Sequence, residues 1–374
     1  MSKEQEDARA LPLDGQHLIV GGPGTGKSVL ALLRARRLAQ EGVDYVFLVY
    51  NHLLNESSRQ LLEGSLVSKT WNSWFSRLYE EVIDTTIPTI EARIGSSWRP
   101  TDWEAVLDEI SNVEPKVRKT TLVVDEGQDM PPEFYQALVN MGFENFFVMA
   151  DQNQQIVDGS NSTRRDIETA LAIETSEVLE LTNNYRNKYP VARFAREFYT
   201  GDPASPPPEL PAIPKVSVKT PLCYEYELQS FDKLIRRILK TADRDPSKLI
   251  GIFTHNNDDR EKYVSALLSS EVKLDNPRPS ISTFSSNERN KVRFDQGGIL
   301  VINAQSCKGL EFDMVFIADI NSFNCDERNV DNVKRLFYVM IARAIDRVIL
   351  LKEKEKHCPV DRILPVDETI LERV

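Results

Sequence analysis

Residues 123–130 read Val123-Val124-Asp125-Glu126-Gly127-Gln128-Asp129-Met130. The apolar run Leu122–Val124 ends in two adjacent carboxylates, and a Gln-Asp pair follows. Such a run reads as a buried strand of a parallel sheet. Open α/β sheets bind ligands beyond the carboxyl ends of their strands, so Asp125 and Glu126 stand where chemistry is done.

Upstream, His17–Val20 and Tyr45–Tyr50 have the same strand character, and Phe146–Ala150 follows downstream. Helical segments such as Ser28–Gln40 and Leu53–Glu63 lie between them. This alternation predicts a parallel sheet covered by helices on both faces. A second set, Lys248–Phe253, Gly298–Ala304, Met314–Ile320 and Val348–Lys352, predicts a second α/β domain of the same kind. The first domain is expected over residues 1–176 and the second over 177–374. The proline-rich stretch Asp202–Pro214 can be neither helix nor central strand, and reads as a stiff surface connection.

Between the first strand and helix lies Gly21-Gly22-Pro23-Gly24-Thr25-Gly26-Lys27-Ser28. It matches the phosphate-loop pattern G-x-x-x-x-G-K-[ST] in its required strand–loop–helix setting. Gly24, Thr25 and Gly26 let the backbone curl so that its N–H groups face phosphate oxygens. The helix N-terminus adds partial positive charge. Lys27 is placed to reach the β and γ phosphates of ATP, and the Ser28 hydroxyl to hold Mg2+. Asp125 completes the magnesium site, and Glu126 orients or deprotonates the attacking water.

Composition narrows the remaining choices. The chain has 374 residues, 41% hydrophobic and 28% charged, with a net charge of −11. No apolar run approaches the roughly 18 residues of a membrane helix. The polar, acidic start MSKEQEDARA is no signal peptide. Cys223, Cys307, Cys325 and Cys358 form no metal or disulfide pattern. A cytoplasmic protein without a membrane partner is expected. A nucleic-acid protein usually carries a basic footprint; none is visible overall, so any such site must be a local groove. Arg164-Arg165 and Arg289–Arg293 are small basic clusters that either contact phosphate or lie solvated. The four histidines lack ligand spacing. Trp98 and Trp103 flank a short helix that Thr101 is placed to cap.

With these motifs in order, the chain resembles the UvrD/Rep-like superfamily 1 DNA helicases over nearly its whole length. The stretch Phe47–Leu54 looks like the motif after the first helix, and Thr70-Trp71-Asn72-Ser73-Trp74-Phe75 like the next. In the family both line the nucleic-acid path; an aromatic cluster of this kind equally suits a core. Asp151-Gln152-Asn153-Gln154-Gln155-Ile156 is similar to the third motif, Leu181–Arg186 to the fourth, Ser306–Phe312 to the fifth and Arg335–Ala344 to the sixth.

The resemblance implies two RecA-like P-loop NTPase domains with parallel sheets and an ATP site in the cleft between them. It implies that Gln5 reads adenine, that Tyr185 stacks on it and that Glu311 contacts the ribose. Gln154 couples the γ-phosphate to the nucleic-acid path, and Arg186 and Arg343 reach the γ-phosphate from the second domain. Charge placed around a loose phosphoryl transition state is what hydrolysis needs. Two arginines carried by a separate domain supply it only on closure.

The chain also departs from that pattern. The third motif continues as Val157-Asp158-Gly159-Ser160, without the aromatic residues that stack on bases, a loss of about 1–3 kcal/mol per base. Asn303 and Gln305 stand for the usual Thr and His of the fifth motif, and Ala342 for a Thr of the sixth. The intervals Phe75–Thr121 and Arg186–Val301 are too short for the family's large inserted subdomains, and no nuclease signature follows the sixth motif.

Two functions follow as expectations. One is an ATP-dependent helicase or translocase on single-stranded or junction DNA, with the DNA contact weakened by the altered motifs. The other is a regulatory ATPase subunit of a DNA-repair or phage-defence complex that controls a partner such as a nuclease.

Overall fold

Two parallel sheets organise the chain. The computed structural model describes residues 2–50, 68–91, 99–154, 161–201, 206–215, 218–284 and 297–374. They form two compact units, Met1–Gly21 with Gly26–Leu181, and Gly22–Thr25 with Thr182–Val374.

The first unit runs α1 (Lys3–Ala10), β1 (Gln16–Gly21), α2 (Lys27–Gln40), β2 (Tyr45–Val49), β3 (Ser68–Thr70), α3 (Trp71–Ile83), α4 (Trp103–Ser111), β4 (Arg118–Val124), α5 (Pro132–Asn140), β5 (Phe143–Ala150), α6 (Arg164–Ala170) and β6 (Leu179–Leu181). Its sheet has the order β3-β2-β4-β5-β1-β6, with parallel pairing throughout. Parallel strands buried on both faces need apolar residues at consecutive positions. Alternate residues then serve opposite cores. In β4, Leu122 and Val124 join a core with Phe75, Tyr79, Phe134 and Leu138. Val123 joins the other core, with Ala8, Leu30, Ala31 and Leu38. In β5, Phe146 and Val148 likewise face the first core, Phe147 and Met149 the second.

The four strands expected in this half are all present. The strand expected over Thr121–Asp125 starts earlier, at Arg118, and stops before Asp125, which leaves both carboxylates in the following turn. The cap of α4 is Asp102, whose side chain accepts the Ala105 N–H at 3.2 Å, and not Thr101. Strand β6 pairs with β1, so Leu179–Leu181 belong with the first unit. The segments 53–63 and 289–293, Trp98, and the 157–160 stretch lie outside the described residues.

The second unit runs α7 (Tyr189–Arg196), β7 (Leu222–Tyr226), α8 (Phe231–Arg244), β8 (Leu249–Thr254), α9 (Asn257–Ser269), β9 (Ile281–Thr283), β10 (Gly298–Asn303), β11 (Phe312–Ile317), α10 (Val330–Ala342), β12 (Ala344–Glu353) and β13 (Glu372–Arg373). Its sheet has the order β13-β7-β12-β11-β8-β10-β9, again parallel. Helices α8 and α9 cover one face through Leu234, Ile238, Tyr263 and Leu267. Helices α7 and α10 pack on β12. Two such sheets, the first with the phosphate loop between β1 and α2, bear out the expected pair of RecA-like α/β folds.

Candidate functional site

The strand order assembles the site in the first unit. Strand β5 lies between β4 and β1, with Val124 opposite Val148 and Val20 opposite Ala150. The residues following these three strands therefore meet at one edge of the sheet.

The loop after β1 has the backbone a phosphate cradle needs. Gly24 and Gly26 adopt φ of 78° and 92°, a region that strains residues with a Cβ. A Cβ at Gly26 would lie 2.7 Å from the Gln5 amide nitrogen. Gln5 is thus held against the loop. It also closes a capping box with Ser2, accepting the Ser2 N–H at 3.1 Å. Thr25 donates its hydroxyl to the Gly22 carbonyl at 2.9 Å.

Lys27 opens α2 and is 7% exposed. Its ammonium donates to the Gly21 carbonyl at 2.6 Å and to the Asp151 carboxylate at 3.3 Å. Ser28 hydrogen-bonds to Asp125. Burial and the neighbouring Glu126 charge push the Asp125 carboxyl up to about 6, against the opposing pull of Ser28 and Lys27. A carboxyl held so reluctantly charged is suited to a divalent cation, which restores the charge balance. A glycine cradle at a helix start, a buried lysine and a hydroxyl joined to a carboxylate fit a nucleotide phosphate with magnesium.

Glu126 turns the chain out of β4 with φ of 58°, rare outside glycine. Its carboxylate accepts the Gln128 amide at 2.7 Å. Gln128 is fully buried, and its own oxygen accepts the Asp151 N–H at 2.8 Å. Asp151 accepts the Gln154 amide at 2.5 Å and the Asn153 N–H at 3.1 Å. A buried polar chain therefore runs Glu126–Gln128–Asp151, with Lys27 and Gln154 both on Asp151. Sequence reasoning nominated Glu126, Gln154 and Lys27 but missed Asp151 as their junction. Its position directly after a predicted strand was the available signal.

This geometry makes Gln128 a connector. Gln128→Leu removes one partner from a buried carboxylate and strands a buried N–H, which is expected to cost about 2–4 kcal/mol. The four tryptophans of the chain all precede Thr182, so urea unfolding followed by their fluorescence reads it. A midpoint unchanged from wild type would reject the connector role.

In the second unit Tyr185 is 55% exposed. The Arg186 guanidinium donates to Glu311 at 2.8 Å, with a second contact to the same oxygen. Arg186 and Glu311 are thus partners in this structure, and a half-exposed pair is worth only about 0–1 kcal/mol. Arg343 follows α10, is 1% exposed and donates to the Val339 carbonyl at 3.2 Å.

The residues expected on a nucleic-acid path are differently employed. Phe75 is fully buried between Trp103 and Phe134, and Trp71 stacks on Trp103. The aromatic cluster is core. Arg164 is neutralised by Glu168 at 2.8 Å and Glu180 at 2.6 Å, whereas Arg165 is exposed. Asn303 is tied to Thr254 and Asn257, and Ala342 is buried.

The profile of the Schlafen group 3 DNA/RNA helicase domain matches residues 16–234, more than half of the chain. The chain belongs to this family. The UvrD-like helicase C-terminal domain matches residues 298–351, so the helicase resemblance is borne out in both halves of this Schlafen-type chain. No curated protein matches it. Among solved structures, the C-terminal domain of a possible DNA helicase from Lactobacillus plantarum WCFS1 is similar at a TM-score of 0.36 and 15% identity, over 50% of this chain and 97% of that one. Among the described residues of the Schlafen-type chain, no helix is long and apolar enough to cross a membrane.

Proposed function

We propose that this helicase-family chain is a nucleic-acid-stimulated ATPase that moves on single-stranded DNA. The observation that carries the reading is the buried chain from Lys27 through Asp151 and Gln128 to Glu126, beside the Ser28–Asp125 pair. Nucleotide and magnesium supply the phosphoryl bond and the metal charge. Lys27 exchanges Asp151 and the Gly21 carbonyl for phosphate oxygens. Ser28 and Asp125 would hold the metal, and Glu126 would orient water. Gln154 senses the same event through Asp151, its present partner. Gln5 and Tyr185 hold the base, and Glu311 the ribose. Once Glu311 is so engaged, Arg186 is released to act with Arg343 on the phosphate.

A second reading is favoured by the employment of the path residues. Phe75 and Trp71 are committed to packing, and Asn303 to its neighbours. A chain with an intact hydrolysis site and few stacking groups suits a regulatory ATPase that controls a partner, such as a nuclease in DNA repair or phage defence.

ATP turnover with and without single-stranded DNA separates the two. Stimulation of fivefold or more supports the motor. Lys27→Ala is expected to lower both rates about 100-fold or more, since it removes the phosphate cation. Turnover surviving in Lys27→Ala would show that hydrolysis happens elsewhere. Absence of both stimulation and strand displacement would leave the regulatory reading.

A further inference from the structure

Helix α8 solves two problems with one sequence. Leu234, Ile235, Ile238, Leu239 and Ala242 are buried on the sheet. Lys233, Arg236, Arg237, Lys240 and Arg244 fill the solvent side. Of its two carboxylates, Asp232 is exposed in the first turn, and Asp243 is turned inward, accepting the N–H groups of Asp275 and Asn276 at 2.9 and 2.8 Å. The cations are left on one stripe about 16 Å long, at 1.5 Å per residue.

That stripe walls a cleft of about 670 Å3. Its floor is formed by Leu222 and Tyr224 of β7 and by Arg347, Ile349 and Leu351 of β12. These strands are adjacent, with Leu222 opposite Ile349 and Tyr224 opposite Leu351. Lys273 joins the opposite rim, and Glu271 is the one carboxylate in the lining. In a chain of net charge −11, seven cations meet one anion here.

The carboxylates that act on the seven, such as Glu372 on Arg347 and Asp243 on Lys240, do so only from beyond ion-pair distance. Among the described residues, none of them is within ion-pair distance of a carboxylate. The Arg237 guanidinium lies 4.5 Å over the Tyr224 ring. The Arg347 Nε is buried without a hydrogen-bond partner. Burial, then the charges of Arg237 and Arg244, pull the Arg347 guanidinium down against the opposing charge of Glu372. Crowded like charges with so little close counter-charge are a cost that a bound polyanion removes.

We propose that the cleft between α8 and the β7–β12 floor is an accessory site for the phosphate backbone of a single nucleic-acid strand. The stripe repeats charge along its length, as a strand does. Its floor lies on the face of β12 that α8 and α9 cover, set by Ile349 and Leu351; α10, which leads into Arg343, packs on the same sheet but takes no part in this lining. The cleft is concave and of small-molecule size, roughly 300–1,000 Å3, so it admits a flexible strand. The rigid convex surface of a duplex cannot enter. The apolar floor and the Arg237–Tyr224 stack offer a surface for a base beside the phosphates. The inference extends the reading of the chain as a nucleic-acid ATPase, and its deciding readout is binding without ATP.

The test is fluorescence anisotropy of a labelled oligothymidylate against the full chain without ATP, over a salt series. Arg237→Glu/Lys240→Glu is expected to weaken binding tenfold or more. It is also expected to flatten the salt dependence by about 1.4, for two phosphate contacts at roughly 0.7 each on single strands. Lys27→Ala is expected to bind as wild type, and the reversal variant to keep the wild-type ATPase rate without DNA. If the reversal variant melts early, Arg347→Met/Lys240→Gln is measured instead, with a loss of threefold or more expected. Unchanged affinity and salt slope in a folded variant overturn the proposal. So does displacement of the oligonucleotide by polyglutamate of equal charge, which would mark the cleft as a site for an acidic protein. Loss of binding in the variant, in a wild type whose ATPase ignores DNA, removes the motor reading and leaves this site standing.

Discussion

Replacing Glu126 with Gln is expected to lower ATP turnover by about 100- to 10,000-fold, the usual range for losing a positioned general base, while nucleotide affinity stays within about twofold. The two side chains are the same shape. The Gln128 amide that donates to Glu126 at 2.7 Å finds an oxygen acceptor in either. The turn also keeps its geometry, because φ of 58° at this position is imposed by β4 and by the 3-10 turn Gly127–Asp129. What changes is the capacity to take a proton or to orient water by charge. Steady-state turnover and binding of a fluorescent ATP analogue, measured side by side, give the two numbers. Turnover within threefold of wild type would move water activation to another residue; a matching loss of binding would make Glu126 a structural group. The substitution therefore differs in kind from Lys27→Ala, which removes the cation facing the phosphate, and from Gln128→Leu, which cuts the connection to Asp151.

Much of this site was legible because parallel strands announce themselves. Leu122–Val124 and Phe146–Ala150 are continuous apolar runs, since each residue serves one of two cores. The phosphate loop was legible because its glycines have no alternative at φ of 78° and 92°. Asp151 was not nominated, because its one local mark, a place directly after the strand ending at Ala150, does not say what it meets. Only the order β4-β5-β1 places it beside Lys27. The aromatic cluster around Phe75 could be read two ways until Trp103 and Phe134 were seen against it. Strands β6, β9 and β13 are two or three residues long, too short for a period to show. The basic stripe of α8 is hidden by averaging. A net charge of −11 conceals it, and Asp232 and Asp243 interrupt it in sequence. The helical period separates them.

Asp319→Ala carries the second large expectation, and it tests how one turn serves two ends. Asp319 leaves β11 as Glu126 leaves β4. Each is a non-glycine residue of positive φ, 45° and 58°, and each leads into a 3-10 turn. The surroundings differ. Asp319 accepts the Tyr226 hydroxyl at 2.5 Å, the Tyr263 hydroxyl at 2.8 Å and the Lys262 ammonium at 2.8 Å. Burial and the Asp319 charge push both tyrosine hydroxyls up, so they remain donors across the working pH range. Both carboxylate oxygens are engaged by protein donors, which makes Asp319 a lock. Removing it leaves two buried hydroxyls without their acceptor, at a cost of about 3 kcal/mol. Amides of β11 and β8 are then expected to exchange about 100-fold faster in native-state hydrogen exchange. The tryptophan-detected unfolding of the first unit is expected to hold its midpoint. Unchanged exchange in β11 would show that the tyrosines and lysine are satisfied without Asp319. The paired outcome is the informative one: Glu126→Gln should lose chemistry and keep the fold, because Gln128 keeps its acceptor, whereas Asp319→Ala should lose local stability, because three protein donors converge on that carboxylate.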